Sequence, residues 1–436
     1  MSKTDMMMGK VMIFAQKVQN NKYLDAISKG LMWTLAPLMI GSIALLLAVL
    51  PIDAWKTLIG NIGLRAQLLN ASTLTTSIIA LYAVFAIAYK LADNLKQQGV
   101  IPGLLAVFSF LIITPLANFD GASYLDIGWL GAKGLFTAMI VALVSCRIYC
   151  LLVEKKLTIK MPDSVPPVIA NSFAGLIPAM VVGFGFILVA LLFSLTKYGS
   201  FNEFVYHIIA SPLESLSASI WSMVFIVFVQ MVLWFFGLHG SLVVGSFITA
   251  LYLPMDTANM EAVAAGVANS ELPNILGKTF YNLFAGIGGA GGTISLVILL
   301  LFVAKSKKNK AMGNLAAIPG CFTINEPVVF GLPLILNPIM VVPFISVPLI
   351  QLIIAYFATA AGIVPRLSGV QVPFGMPVLV NGFIAGGWRV SVLQAVLILV
   401  GLVIYYPFFK VLDKKDYLEE IGEGNLEEKV GEYEVN

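Results

Sequence analysis

Charge is what this sequence lacks most. Asp, Glu, Lys and Arg make up 11% of the 436 residues, against about 25% in a soluble domain. That deficit excludes a water-facing globular surface. Cysteine is scarce as well, with Cys146, Cys150 and Cys321 only. No two of them form a CxxC pair, which excludes a disulfide framework and a thiol redox motif. Cys146 and Cys150 stand four apart, one turn of a helix, where packing is their expected role. There are two histidines and no Cys/His cluster, so no metal site is expected. No GxxxxGK[ST] phosphate loop occurs, which argues against ATP-driven transport by this chain alone. Gly286-Ile287-Gly288-Gly289-Ala290-Gly291-Gly292-Thr293 is rich in glycine but has no following Lys-Ser/Thr, and close helix packing is the expected reason for it. No cofactor motif is present. The net charge of +3 is too small to imply nucleic acid. The first 30 residues lack a short apolar core ending in small residues, so no cleavable signal peptide is expected.

What is abundant is apolar sequence. Hydrophobic residues make up 59% of the chain and the mean hydropathy is +0.93. Apolar runs of membrane-spanning length recur from end to end. They predict ten spans, over 31–50, 74–91, 100–117, 131–153, 173–195, 220–237, a weaker one at 241–255, then 280–304, 339–362 and 388–409. Segments 311–338 and 363–387 are apolar but broken by Pro, Gly and Asn, and read as re-entrant or cavity-lining. Lysine and arginine test this count. With the N-terminus inside, the inner segments hold 19 of the 26 basic residues. Without the weak span the lysine cluster at 305–310 would fall outside. The expectation is an all-α polytopic membrane protein with both termini cytoplasmic. Residues 1–30 form a basic arm, amphipathic on the inner lipid surface or simply a pre-membrane extension. Residues 31–215 and 216–410 form two transmembrane halves. The acidic tail, 411–436, reads as a solvated extension.

Few side chains remain for chemistry. His207 sits in an expected outer loop, where a solvated ring suffices. His239 follows Trp234-Phe235-Phe236-Gly237-Leu238 and precedes Gly240. An ionisable group beside such a run faces a cavity or a partner, or lies at the cytoplasmic interface with water. Glu326 is sharper. It is the sole acidic residue between Glu271 and Asp413, and a lone carboxylate at membrane depth is costly and functional by default. Pro327 restricts Glu326 and suits the first position of a helix. Asn325 and Glu326 would then stand at a helix start beside free backbone N–H groups. Pro319, Pro327, Pro333 and Pro338 exclude one straight helix. The segment reads as a hairpin around a polar cavity, the alternative being a cytoplasmic loop.

From Ile324-Asn325-Glu326-Pro327-Val328-Val329-Phe330-Gly331-Leu332-Pro333 on to Asn337-Pro338, the chain resembles the enzyme IIC family of the lactose/cellobiose/diacetylchitobiose phosphotransferase systems. Gly237-Leu238-His239-Gly240, the lysine-rich loop and the stretch 382–394 follow in that family's order. The resemblance implies about ten transmembrane helices with re-entrant hairpins. It implies a homodimer joined mainly through the N-terminal half, with the sugar held in the C-terminal half. The substrate would be a β-linked disaccharide, phosphorylated at its 6-hydroxyl on delivery across the bacterial inner membrane. Glu326 and His239 match the positions near that hydroxyl. Trp234 and Asn325 match positions close to the sugar, and Asn381 is a further candidate contact. One departure stands out: Val372-Pro373-Phe374-Gly375 replaces a frequent Val-Pro-Trp-Thr, so Phe374 would stack on sugar without an indole donor. Residues 410–436 carry neither Cys nor His, so a separate enzyme IIB, charged by enzyme IIA, would bring the phosphate. The lysines at 305–310 would suit an acidic partner, though positive-inside loops arise without one. An ion-coupled sugar symporter is the rival reading, since it too would use an intramembrane carboxylate.

Overall fold

The computed structural model describes residues 20–49, 53–159, 173–332, 334–373 and 375–434. Among the described residues, regular structure is helical apart from one hairpin, Leu116–Phe119 with Ala122–Leu125. Asp120 and Gly121 take positive φ at its turn, the conformation that a tight hairpin needs. The third expected span therefore stops at Ile113, and Val100–Ile113 is a helix of 14 residues. Among the described residues, seven helices are long and apolar enough to cross a bilayer. An eighth is counted if Phe201–Ser217 and Ile220–Phe235, bent by 78°, make one span. The expected span at 280–304 is not continuous. It divides into Lys278–Phe284 and Ile294–Phe302, with the glycine-rich run between them.

The first long helix begins where Asn21 caps it, accepting from the N–H groups of Tyr23 and Leu24 at 3.0 and 3.1 Å. It pauses at Thr34, whose hydroxyl turns back to the Leu31 carbonyl at 2.7 Å. The expected basic arm lies outside the described residues up to residue 19.

Two cores follow the two halves. One gathers buried side chains from Ala26 to Ala210, and the other from Ile220 to Leu412. The helix Gly240–Ala264 belongs to both. Leu253 is in the first core, while Val244, Ile248, Tyr252 and Met255 are in the second. Met260 and Val263 continue into a small cluster with Leu45 and Leu272. This helix covers the weak expected span and exceeds it by ten residues, nine of them at its C-terminal end. Its hydropathy, 1.3, is the lowest of the seven, and 56% of it is buried. Leu176–Ser194, with 22% buried, has the highest at 2.7. A helix surrounded by protein has no lipid to satisfy, so it tolerates polar residues.

Those polar residues hold the broken C-terminal segments. Asp256, 2% exposed, accepts hydrogen bonds from the Thr279 N–H (2.8 Å), the Thr279 hydroxyl (2.9 Å) and the Gln371 amide (2.8 Å). One turn on, the Asn259 amide donates to the carbonyls of Asn274 (2.8 Å) and Leu367 (2.9 Å). The Gln371 N–H reaches the Ser42 hydroxyl in the first half, at 3.3 Å. Gly369 has φ +82°, and a side chain there would run into the Asp256 carbonyl.

Removing the Asp256 carboxylate takes an acceptor from three buried donors. The Thr279 hydroxyl and the Gln371 amide keep other acceptors, but the Thr279 N–H is left without one among the described residues, and an orphaned buried donor normally costs about 1–3 kcal/mol. Asp256→Ala is expected to destabilise the protein by about 1–3 kcal/mol, seen as a drop of several degrees in the unfolding midpoint in detergent.

Candidate functional site

The expected site residues occupy three breaks in the helical backbone. The first is the glycine-rich run. Gly288, Gly289, Gly291 and Gly292 all have positive φ, between +65° and +105°, a region that L residues with a side chain rarely adopt. The run is therefore a tight loop, and it packs closely on the helix Val341–Ala360, since a Cβ on Gly291 or Gly292 would collide with Phe344 or Val347. The Thr293 hydroxyl donates to the Gly288 carbonyl (2.8 Å), and the Tyr405 hydroxyl donates to that of Gly291 (2.7 Å).

The second break carries Asn325 and Glu326. Lys307–Cys321 ends at Phe322, and Thr323 follows in a left-handed conformation with φ +64°. Asn325 then stands at the cap position of the short helix Glu326–Gly331, which has Pro327 in its first turn. An asparagine there ordinarily caps its own helix. Here its amide instead donates to the Ala290 carbonyl at 2.7 Å, in the glycine loop. Gly289 makes this approach possible: a Cβ on it would sit 2.5 Å from the Asn325 Cγ. Asn325 is buried and the adjacent Glu326 is exposed. Among the described residues, no hydrogen bond or ion pair engages the Glu326 carboxylate.

The third break surrounds Asn381. The Val378 N–H donates to the Cys321 carbonyl (2.8 Å), so this segment lies against the end of Lys307–Cys321. Gln394 accepts from the Leu379 N–H (3.2 Å) and donates to the Leu283 carbonyl (3.1 Å), just before the glycine loop. Asn381 is buried, and its side-chain oxygen has no hydrogen-bond partner among the described residues. Phe374 lies outside the described residues.

His239 caps Gly240–Ala264, with Nδ1 accepting from the Leu242 N–H at 3.3 Å. The tautomer with the proton on Nε2 follows. Its exposed ring lies 4.3 Å from that of Trp234, tilted by 46°. Trp234 is 3% exposed and gives its indole N–H to the Ser241 hydroxyl at 3.2 Å. The Gln230 amide donates to the same hydroxyl at 3.1 Å, and the Tyr281 hydroxyl donates to Gln230 at 2.5 Å. Trp234 in this conformation supports His239 from below. The chain after Glu326–Gly331 docks on this turn through the Leu336 N–H and the Phe235 carbonyl, 3.0 Å apart. The structure thus joins the His239 turn, Asn325, Glu326 and Asn381 through their backbone segments, with no direct bond between Glu326 and His239 among the described residues. His207, apart from them, faces Glu203 at 3.3 Å. A cavity of about 410 Å³ lined by Thr359, Arg366, Trp388 and Arg389 involves none of the six candidates.

Sequence reasoning missed the Asp256–Thr279–Gln371 network and the Gln230–Ser241–Tyr281 chain. A signal for Asp256 existed, since it stands in an apolar run. Ending the weak span at Met255 placed it in a loop and removed the anomaly.

Comparison with known proteins gives a consistent picture. The family model "Phosphotransferase system, EIIC" matches residues 28–348. A cellobiose-specific EIIC component of Geobacillus stearothermophilus is 35% identical over 95% of both chains. The lichenan permease IIC component of Bacillus subtilis (strain 168) is 35% identical over 94% of each. Among solved structures, the transporter ChbC, the IIC component of the N,N'-diacetylchitobiose-specific phosphotransferase system, superposes with a TM-score of 0.88. It is 37% identical, and the match covers 94% of this chain and 98% of that one.

The glycine loop and Asn325 are mutually dependent. Gly289→Ala combines a positive φ with a collision, and is expected to cost about 2 kcal/mol or more. Gly185→Ala, inside the helix Leu176–Ser194 where a Cβ meets nothing within 4 Å, is expected to cost nothing and to gain up to about 1 kcal/mol in helix propensity. Unfolding in detergent compares the two.

Proposed function

This chain belongs to the EIIC family of the phosphotransferase system, a multi-pass integral membrane protein of the inner membrane, and from that premise we propose how its site works. The substrate is a β-linked disaccharide of the cellobiose or diacetylchitobiose type, imported with phosphorylation of its 6-hydroxyl. The observation that carries this reading is Glu326: an exposed carboxylate without a partner, opening a helix beside a buried asparagine, where three broken segments meet. A carboxylate so placed is ready to accept a hydroxyl proton. The ion-coupled symporter, open on sequence alone, gains no support from the relatives.

The sugar lies against the C-terminal half, with the amide of Asn325 and the unpartnered oxygen of Asn381 as polar contacts and Phe374 as an apolar wall. His239, protonated on Nε2 and braced by Trp234, points a donor at the reacting region. The 6-hydroxyl oxygen attacks the phosphorus of a phosphorylated side chain on a separate EIIB. The bond from phosphorus to that side chain breaks as the new one forms, and Glu326 takes the hydroxyl proton. Transfer of this kind depends on positioning and on neutralising charge. Glu326 acts as general base and His239 as hydroxyl-orienting or charge-stabilising group.

The same reading assigns ten spans with both termini cytoplasmic and a homodimer formed chiefly by residues 31–215. Residues 216–410 carry the sugar and move against that scaffold to alternate access. The relatives' family works with EIIB and EIIA, and this chain would receive phosphate through that pair.

Membrane vesicles supplied with phospho-EIIB and labelled cellobiose test the assignment. Removing a general base typically costs about 10²–10⁴-fold, so Glu326→Gln is expected to lose at least about a hundredfold in sugar-phosphate formation while still binding sugar. His239→Ala is expected to lose about tenfold or more. Full activity in Glu326→Gln overturns the assignment.

A further inference from the structure

The first part of the acidic tail, expected to be a solvated extension, is tied to the rest of the protein through Asp413, Asp416 and Glu420. The last helix runs without interruption from Trp388 to Glu434. Past the apolar part it turns three carboxylates toward the start of Lys307–Cys321. Asp413 accepts from the Lys305 N–H (2.8 Å), the Ser306 N–H (3.2 Å) and the Asn309 amide (3.0 Å). Glu420 accepts from the Ser306 hydroxyl (2.6 Å) and from the N–H groups of Lys307 and Lys308, both at 3.0 Å. Asp416 faces the Lys308 ammonium at 3.6 Å. These carboxylates recur at i, i+3 and i+7, one face of a helix. Ser306 and Asn309 are fully buried, and Asp413 and Asp416 nearly so.

We infer that Asp413 and Glu420 are positioning residues for phosphoryl transfer, acting through the helix Lys307–Cys321 on Glu326. This rests on the role proposed for Glu326. The free N–H groups at a helix start need acceptors, and carboxylates also suit the positive end of the helix dipole. Here Ser306 caps the Asn309 N–H locally (3.2 Å), while the acceptors for the N–H groups of 305–308 come from a distant part of the chain, so the contact fixes the helix in space as well as capping it. The helix is about 22 Å long at 1.5 Å per residue. Its far end leads directly through Thr323 and Asn325 to Glu326. Its flank is close to Ile294–Phe302, since a Cβ on Gly313 would stand 2.9 Å from the Leu300 backbone. A shift at the latched end therefore travels along this helix as far as Pro319, near its far end, and from there into the short segment that carries Glu326.

The two site residues depend on this helix differently. Asn325 is tied separately to Ala290, whereas the Glu326 carboxylate has no tie of its own among the described residues. Loosening the latch misplaces Glu326 more than Asn325. The effect then falls on transfer and spares sugar binding. A misplacement of about 1 Å can cost about a hundredfold in rate.

The test measures steady-state transfer from phospho-EIIB to cellobiose, cellobiose binding, and hydrogen exchange at the amides of 305–308, for Asp413→Ala, Glu420→Ala and Glu420→Gln. Both alanine variants are expected to lose about tenfold or more in kcat, with cellobiose affinity and the KM for phospho-EIIB within about threefold and with faster exchange at those amides. Glu420→Gln keeps a carbonyl acceptor and is expected to recover most of the rate. Faster exchange with kcat unchanged overturns the inference. So does a parallel fall in cellobiose affinity, which marks a general loss of structure, or a rise confined to the KM for phospho-EIIB, which marks a docking role. Glu326→Gln runs alongside: if it stays fully active, the proposed function fails and not the latch alone.

Discussion

In a bilayer every backbone N–H and carbonyl needs a partner, and this chain breaks its helices repeatedly where water cannot help. The rest of the structure depends on how those breaks are filled. The Asn325 amide takes the Ala290 carbonyl, the Tyr405 hydroxyl takes that of Gly291, and Gln394 bridges Leu379 to Leu283. Asn259 does the same for 274 and 367. Each is a side chain spent on another segment's backbone. The result is irregular chain at membrane depth that is nonetheless held in place. Glu326, exposed and free, is the exception that this framework supports.

The helix Gly240–Ala264 links the framework to the rest of the molecule. It contributes to both cores, carries His239 at its start, and holds Asp256 and Asn259 on its second half. Through Gln371 and Ser42 the network on this helix also reaches the first half. A rearrangement of one half against the other would be felt at His239 through a single rigid element.

Much of this was legible in the sequence. A lone carboxylate before a proline in an apolar stretch pointed to Glu326, and the prolines around it pointed to a broken backbone. The long apolar runs located the helices at 31–50, 131–153, 173–195 and 339–362. Other features were misread for identifiable reasons. Glycine-rich composition fits close helix packing as well as left-handed loops, and only φ at Gly288, Gly289, Gly291 and Gly292 reveals the loop. Buried polar residues such as Asp256 lower a helix's apparent hydropathy, so the junction helix looked marginal although it is among the most enclosed. The tail's charges suggested solvent, because nothing in the spacing of Asp413 and Glu420 reveals that they accept from backbone amides about a hundred residues away.

The central claim is that this framework places Glu326 at the hydroxyl to be phosphorylated. A thermodynamic cycle tests it most directly: binding of cellobiose, and of its analogue lacking that 6-hydroxyl, to the parent protein and to Glu326→Gln. Groups in contact show coupling of about 0.5–3 kcal/mol in such cycles. The expected result is a clear preference of the parent for cellobiose that largely disappears in the variant. An equal preference in both proteins would show that Glu326 does not touch that hydroxyl, and would contradict the claim.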